Sequence, residues 1–307
     1  MNASSTYTRF WNNWPVRTIT FPMTKRLGII GYPIGHSISP IFQQVALNHM
    51  GIDATYEKWE VTPENVGDFV NGLRAPGSLG INITLPHKQA VIPFLDEVDE
   101  WATSAGAVNT IVNHDGHLSG HNTDGPGFLQ ALLVETGYDP KGTRALILGA
   151  GGAARGILLA LVRGGVNSLV IANRTLERAE TLAQLSWDNG VGSEAISISG
   201  DALTGAAASA DLIVNCTSLG MSHGPNEDGS PLSAAQIPAT AIVNDVVYTP
   251  MLTPILKEAA EAKATTLGGL HMLIYQGVLS FRMWTGQDPP VDLMLEAATR
   301  EMVSRGA

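Results

Sequence analysis

Lys88 in the stretch GINITLPHKQ and Asp124 in GHNTDGPGF are the residues whose types best suit proton exchange with a bound hydroxyl. Pro86 fits the first turn of a helix, and Lys88 falls within that turn, where the helix N-terminus disfavours a cation. A lysine so placed suits a general acid/base, whereas a lysine without such a task is simply solvated. Asp124 follows Asn122 and Thr123 at the start of another helical run, and capping needs only one of the three. Pairing Asp124 with Lys88 across a cleft would hold the lysine and share a proton with a bound hydroxyl. Asn82 and Thr84 lie on one face of the strand before Pro86, because alternate strand residues point the same way. In GYPIGHSISP, Ser39 as N-cap with Pro40 as first helical residue is an ordinary helix start. That leaves Pro33, His36 and Ser37 unexplained, and points to a loop built to hold a ligand.

Positioning these groups requires rigid elements, and strand and helix signals alternate from Lys25 onward. RLGIIGY reads as a buried strand and PIFQQVALNHMG as an amphipathic helix closed by Gly51. ATYEKWEV alternates as a strand, TPENVGDFVNGL reads as a helix, LGINIT as a strand, and PHKQAVIPFL as a helix opening at its proline. VNTIVNHDGHLSG reads as a hairpin around Asp115-Gly116, and DGPGFLQALLVETG as a helix leading into a second domain. RALILGAGGAARGILLALVRGG and SLVIANRTLERAETLAQL are then two strand–helix units, and ADLIVNCT and TAIVNDVVY are further buried strands. Such alternation implies right-handed βαβ units around a parallel sheet. Two helices end the chain, with boundaries near 124–126 and 268.

LILGAGGAARG sets Gly149, Gly151 and Ala154 as G-x-G-x-x-A between a strand and a helix, the context that a dinucleotide site requires. The glycines allow a tight turn, and the helix N-terminus offers amides and a positive dipole to a pyrophosphate. An NAD enzyme places Asp or Glu at the end of the next strand to take the ribose 2′-hydroxyl. Here that strand ends in Asn173-Arg174-Thr175, with Arg178 one turn later. Arginine forks bind a 2′-phosphate, which a carboxylate would repel. The cofactor expected is NADP(H).

The 307 residues accommodate two domains, and 44% hydrophobic with 15% charged residues fit a globular enzyme with large buried sheets. A net charge of −10 argues against a nucleic-acid partner, and no segment has the apolar length of a membrane span. The single cysteine, Cys216, excludes an internal disulfide, suits a cytoplasmic, reducing compartment, and reads as core filler. Residues 1–22 lack periodicity and any continuous apolar run; they read as a disordered extension outside the fold. His114, His117 and His121 flank a turn without cysteine or a carboxylate cluster, so no metal is expected.

GYPIGHSISP, NITLPHK, AGAVNT, GHNTDGPGF, GAGGAA, NRT, NCTSLGM, DVVYTP and MLIYQG occur in this order across residues 31–277. Together they closely resemble the shikimate/quinate dehydrogenase family, over nearly all of the chain beyond the N-terminal extension. The resemblance implies two α/β domains with the active site in the cleft. Residues 23–124 with 269–307 would form the substrate-binding, catalytic domain, and 125–268 a Rossmann-type, doubly wound NADP-binding domain. It implies that Ser37 and Ser39 bind a substrate carboxylate and that Asn82, Thr84, Asn109, Asp124, Tyr248 and Gln276 contact ring hydroxyls. Lys88 would be the catalytic acid/base. Gly149, Ala150, Gly151, Gly152 and Ala153 would form the glycine-rich loop, and Asn173, Arg174, Thr175 and Arg178 the 2′-phosphate clamp. Thr217, Ser218, Val246 and Gly269 would line the nicotinamide side. The implied reaction is reversible NADPH-dependent reduction of 3-dehydroshikimate to shikimate by a monomer or homodimer. Oxidation of quinate or aminoshikimate is an alternative in the same chemistry. A silent NADP(H) sensor is a third reading, but it would not need Lys88 and Asp124. The chain departs from the family at Gln43-Gln44, where a His-Asn pair is common, at His271, where glycine is usual, and at Pro126.

Overall fold

The computed structural model describes residues 25–306, so the extension expected at residues 1–22 lies outside the described residues. The first half contains β1 (Lys25–Gly31), α1 (Ser39–His49), β2 (Ala54–Glu60), α2 (Val66–Gly72), β3 (Gly80–Ile83), β4 (Glu97–Val98), α3 (Glu100–Ala105), β5 (Thr110–His114), β6 (His117–His121) and α4 (Asp124–Thr136). Next come β7 (Arg144–Leu148), α5 (Gly152–Arg163), β8 (Ser168–Asn173), α6 (Leu176–Asp188), β9 (Gly192–Ser197), α7 (Asp201–Ser209), β10 (Leu212–Asn215), β11 (Ile242–Asp245), α8 (Pro254–Glu261) and β12 (Thr265–Leu267). Helices α9 (Gly269–Thr285) and α10 (Val291–Ser304) close the chain.

The strands form two six-stranded sheets, ordered β2-β1-β3-β5-β6-β4 and β12-β11-β10-β7-β8-β9. The first is mixed, because β3–β5 and the hairpin β5–β6 pair antiparallel. Asp115 and Gly116 make the hairpin turn, with φ of 52° and 93°. The second sheet is parallel throughout. Its order reverses between β7 and β10, so the two strands send their following segments to opposite faces and leave a crevice at their carboxyl ends. Apolar clusters cover both faces of this sheet, one around Ile147, Ile157 and Leu158 and the other around Leu146, Ile213 and Val243. Clusters around Phe42 and Phe281 and around Ile81 and Ile111 do the same for the first.

Two local expectations are corrected. Ser39 is not the N-cap of α1: Ile38 holds that position, and the Ser37 hydroxyl accepts from the Ser39 N–H at 3.3 Å. No α-helix follows Pro86 either. The Lys88 carbonyl accepts from Val108 N–H at 2.7 Å, and the Gln89 carbonyl from Ile92 N–H at 3.2 Å, where only a 3₁₀ turn, Ile92–Phe94, forms. Pro93 lacks the N–H that a continuing helix would need and would clash with the carbonyl four residues earlier. Lys88 therefore lies in no helix N-terminal turn of its own segment.

The chain crosses between the sheets at α4 and at α9, and the two helices meet at Gly127. A Cβ there would lie 2.6 Å from the Gln276 backbone nitrogen and 2.8 Å from its Cα. Alanine normally favours a helix by about 1 kcal/mol over glycine, but here it must push backbone apart. Gly127→Ala is expected to destabilise the protein by about 1–3 kcal/mol, read as a lowered Tm.

Candidate active site

The cleft chemistry is assembled from one turn, one strand edge and one helix start. Lys88 Nζ donates to Asp124 Oδ2 at 2.6 Å, and both side chains retain about a quarter of their exposure, 27% and 26%. The structure thus joins the two residues as their types suggested, although Lys88 arrives on a turn and not on a helix. Asp124 opens α4, and Asn109 Nδ2 donates to its other oxygen at 2.9 Å. Asn109 is itself pinned: its Oδ1 accepts from Thr123 N–H at 2.8 Å, and its Nδ2 also faces Thr123 Oγ1 and Gln276 Oε1. A carboxylate held at one oxygen by an amide and at the other by an ammonium cannot swing away from the lysine.

Asn82 is buried beside this pair. Its Nδ2 reaches the Asn109 carbonyl, Thr110 Oγ1 and Ser280 Oγ at 3.2, 3.1 and 3.0 Å, and its Oδ1 accepts from the Tyr56 hydroxyl at 2.7 Å. Burial pushes the Tyr56 phenol well above its ordinary range, with the neighbouring Ser39 hydroxyl opposing the shift. Thr84 follows β3 and stands against Gly31, at the root of the loop that carries Ser37 and Ser39. That loop is clamped from outside. Lys58 Nζ donates to the Gly35 carbonyl at 2.8 Å, and Arg305 Nη1 to the His36 carbonyl at 2.9 Å. Gln43 Nε2 donates to the Gly277 carbonyl at 3.0 Å, and Gln44 Oε1 accepts from Tyr56 N–H at 2.9 Å. The Gln43-Gln44 departure thus ties α1 to α9 and to β2. Pro126 sits in the first turn of α4, where a missing N–H costs little.

In the second sheet, Gly149 has φ +103° and abuts Cys216 and Thr217 so closely that a Cβ would lie 3.0 Å from the Cys216 carbonyl. Gly151 and Gly152 leave open space where a Cβ would stand, and no side chain caps the first amides of α5. These are the features that a pyrophosphate needs. Asn173 ends β8 beside this turn, and Gly149 N–H donates to the Ala172 carbonyl at 2.7 Å. Arg174, Thr175 and Arg178 follow on the surface, and among the described residues neither arginine has an ion-pair or hydrogen-bond partner for its side chain. The residues present fit NADP(H).

Thr217 Oγ1 donates to Asn215 Oδ1 at 2.7 Å, and Asn215 Nδ2 donates to the buried Asp245 at 3.0 Å. Burial raises the Asp245 carboxyl, against bonds from Thr253, Val247 and Asn215. The same carboxylate fixes the loop carrying Val246 and Tyr248. Gly269 packs on Val246, where a Cβ would lie 2.5 Å from the carbonyl oxygen. Tyr248 packs against the cluster containing Ile34 and Ile38, and so reaches the first sheet. Ala150 lies within the glycine turn and Ala153 follows it, and Ser218 is exposed next to Thr217. Burial, with the Asp245 carboxylate adding to it, pushes the Cys216 thiol up, which disfavours the thiolate that a nucleophilic cysteine needs. His271 Nε2 lies 3.7 Å from Glu135, on the helix pair that joins the sheets. His121 bonds Asp99 at 3.0 Å, and among the described residues no group of three or more His, Cys, Asp or Glu is placed to hold a metal. No helix among them is long and apolar enough to cross a membrane.

Sequence reading missed Tyr56, Lys58, Thr110, Ser280 and Arg305. Tyr56, Lys58, Ser280 and Arg305 reach the site from distant elements and sit in no local pattern that marks them, whereas Thr110 ends the AGAVNT stretch directly after Asn109.

Residues 29–111 match the model of the shikimate dehydrogenase substrate binding domain, 133–224 that of shikimate / quinate 5-dehydrogenase, and 269–299 that of the shikimate 5′-dehydrogenase C-terminal domain. The shikimate dehydrogenase (NADP(+)) of Methanopyrus kandleri is 45% identical over 281 residues, 91% of this chain and 96% of that one. The structure of Thermus thermophilus shikimate 5-dehydrogenase in complex with NADP(H) and shikimate aligns with TM-score 0.79 at 38% identity, covering 90% and 99% of the two chains. Quinate dehydrogenase from Corynebacterium glutamicum in complex with NAD aligns with TM-score 0.81 at 33% identity, over 90% and 99%.

Proposed function

The chain belongs to the shikimate dehydrogenase family, and on that premise we propose that it catalyses the reversible NADPH-dependent reduction of 3-dehydroshikimate to shikimate. This step serves chorismate and aromatic amino acid biosynthesis. The observation that carries the reading is the Lys88–Asp124 pair, 2.6 Å apart and anchored by Asn109. Bound NADPH supplies a hydride to the ring ketone carbon. As negative charge grows on the ketone oxygen, the Lys88 ammonium stabilises it and donates a proton. In the oxidising direction the neutral Lys88 amine takes the hydroxyl proton, while Asp124 orients that hydroxyl and keeps the lysine in place. Asn82, Thr84, Asn109, Tyr248 and Gln276 form the hydroxyl-recognising wall, and Ser37 and Ser39 hold the carboxylate beside the start of α1. Residues 23–124 with 269–307 make the catalytic domain and 125–268 the NADP-binding domain. The lone cysteine suits action in the cytoplasm. Incubation with 3-dehydroshikimate and NADPH should yield shikimate, identified as product; failure to form it would reject the assignment.

The two serines should affect binding more than chemistry. A hydrogen bond to a charged group contributes about 1.5–3 kcal/mol, so Ser37→Ala or Ser39→Ala should raise the KM for shikimate by about 10- to 100-fold. The kcat should change far less in each variant. Steady-state kinetics with saturating NADP⁺ reads both quantities.

A further inference from the structure

We infer that Tyr56 is a positioning residue that fixes the Asn82 side chain as a hydrogen-bond acceptor for a substrate hydroxyl. The inference rests on the function proposed above and goes one layer beneath its site. Asn82 Nδ2 lies 3.2 Å from the Asn109 backbone carbonyl, a group that can only accept, so the nitrogen must face that side. The oxygen therefore faces Tyr56, and the phenol proton is committed to Asn82 Oδ1 at 2.7 Å. Both Nδ2 protons have internal takers, because Thr110 Oγ1 and Ser280 Oγ lie at 3.1 and 3.0 Å. What Asn82 retains for a ligand is the second lone pair of Oδ1. It meets the substrate as an acceptor only.

The phenol that holds this oxygen is itself immobile. Tyr56 is 5% exposed on β2, and its ring packs at a tilt against Trp284 with centroids 6.1 Å apart. Gln44 Oε1 holds its backbone N–H at 2.9 Å. Without the hydroxyl, Asn82 Oδ1 would be left as a buried acceptor short of a partner, and the side chain would be held from its Nδ2 side alone. A side chain held from one end only can shift its Oδ1 away from the substrate hydroxyl it accepts from.

Tyr56→Phe keeps the ring and removes only the hydroxyl. The KM for shikimate should rise about tenfold, the scale of one buried acceptor losing its partner. The kcat should stay within about threefold and the KM for NADP⁺ unchanged, a split that general loosening of the fold would not give. Because Ser39 also neighbours the phenol, two double variants decide the route. In an Asn82→Ala background Tyr56→Phe should add nothing, and in a Ser39→Ala background its effect should multiply in full. Should Asn82→Ala fail to fold, the Ser39 pair still decides: non-multiplying effects there would route Tyr56 through the carboxylate site and overturn the inference. An unmoved KM, or kcat falling in parallel, would overturn it as well. Wild-type protein without shikimate turnover would instead reject the functional reading, and this role with it.

Discussion

Lys88→Ala is expected to lower kcat by about 10²–10⁴, the contribution of a positioned acid/base, with a much smaller change in the KM for shikimate. The split follows from the geometry. Lys88 contributes one ammonium, bonded at 2.6 Å to Asp124, while Asp124 keeps the Asn109 amide on its other oxygen at 2.9 Å. Substrate orientation by Asp124, Asn82 and the serine loop thus survives the substitution. The proton donor to the ketone oxygen does not. Water is a poor replacement, because it is not held at the reacting atom. A variant with near-normal kcat and a raised KM would make Lys88 a binding residue and require another acid.

The candidate site was legible in the sequence where it is encoded in short contiguous stretches. Lys88 in LPHK, Asp124 in NTDG, the glycine turn and the strand end Asn173-Arg174-Thr175 each sit beside a strand or helix signal that fixes their place. Their supports were not legible. Tyr56 and Ser280 meet through Asn82 across 26 and 198 residues of chain, a juxtaposition that no local period reports. The reading also failed at Pro86, where a proline at a helix start is a fair local rule. It lost to a tertiary bond, Lys88 carbonyl to Val108 N–H at 2.7 Å, and to Pro93 downstream. The hairpin at Asp115-Gly116 succeeded because both positions need positive φ, which this pair tolerates.

The second large effect concerns the cofactor. Arg174→Asp should raise the KM for NADP⁺ by about 100-fold, since it removes a charge-assisted bond and sets a carboxylate against the 2′-phosphate. The KM for NAD⁺ should fall or stay level, because a carboxylate at this strand end accepts from the ribose hydroxyl. Arg178, one turn into α6, would retain part of the phosphate affinity, so Arg174→Asp with Arg178→Ala should lose more than either alone. No described side chain competes for these guanidinium groups, and their replacement should leave Tm nearly unchanged. Equal loss with both cofactors would place Arg174 in folding or general nucleotide binding.

The most direct test is kcat/KM measured on the wild-type protein with shikimate and with quinate, each with NADP⁺ and with NAD⁺. The predicted result is that shikimate with NADP⁺ exceeds every other pairing by at least about tenfold. Absence of shikimate turnover with either cofactor, or equal use of NAD⁺, would contradict it.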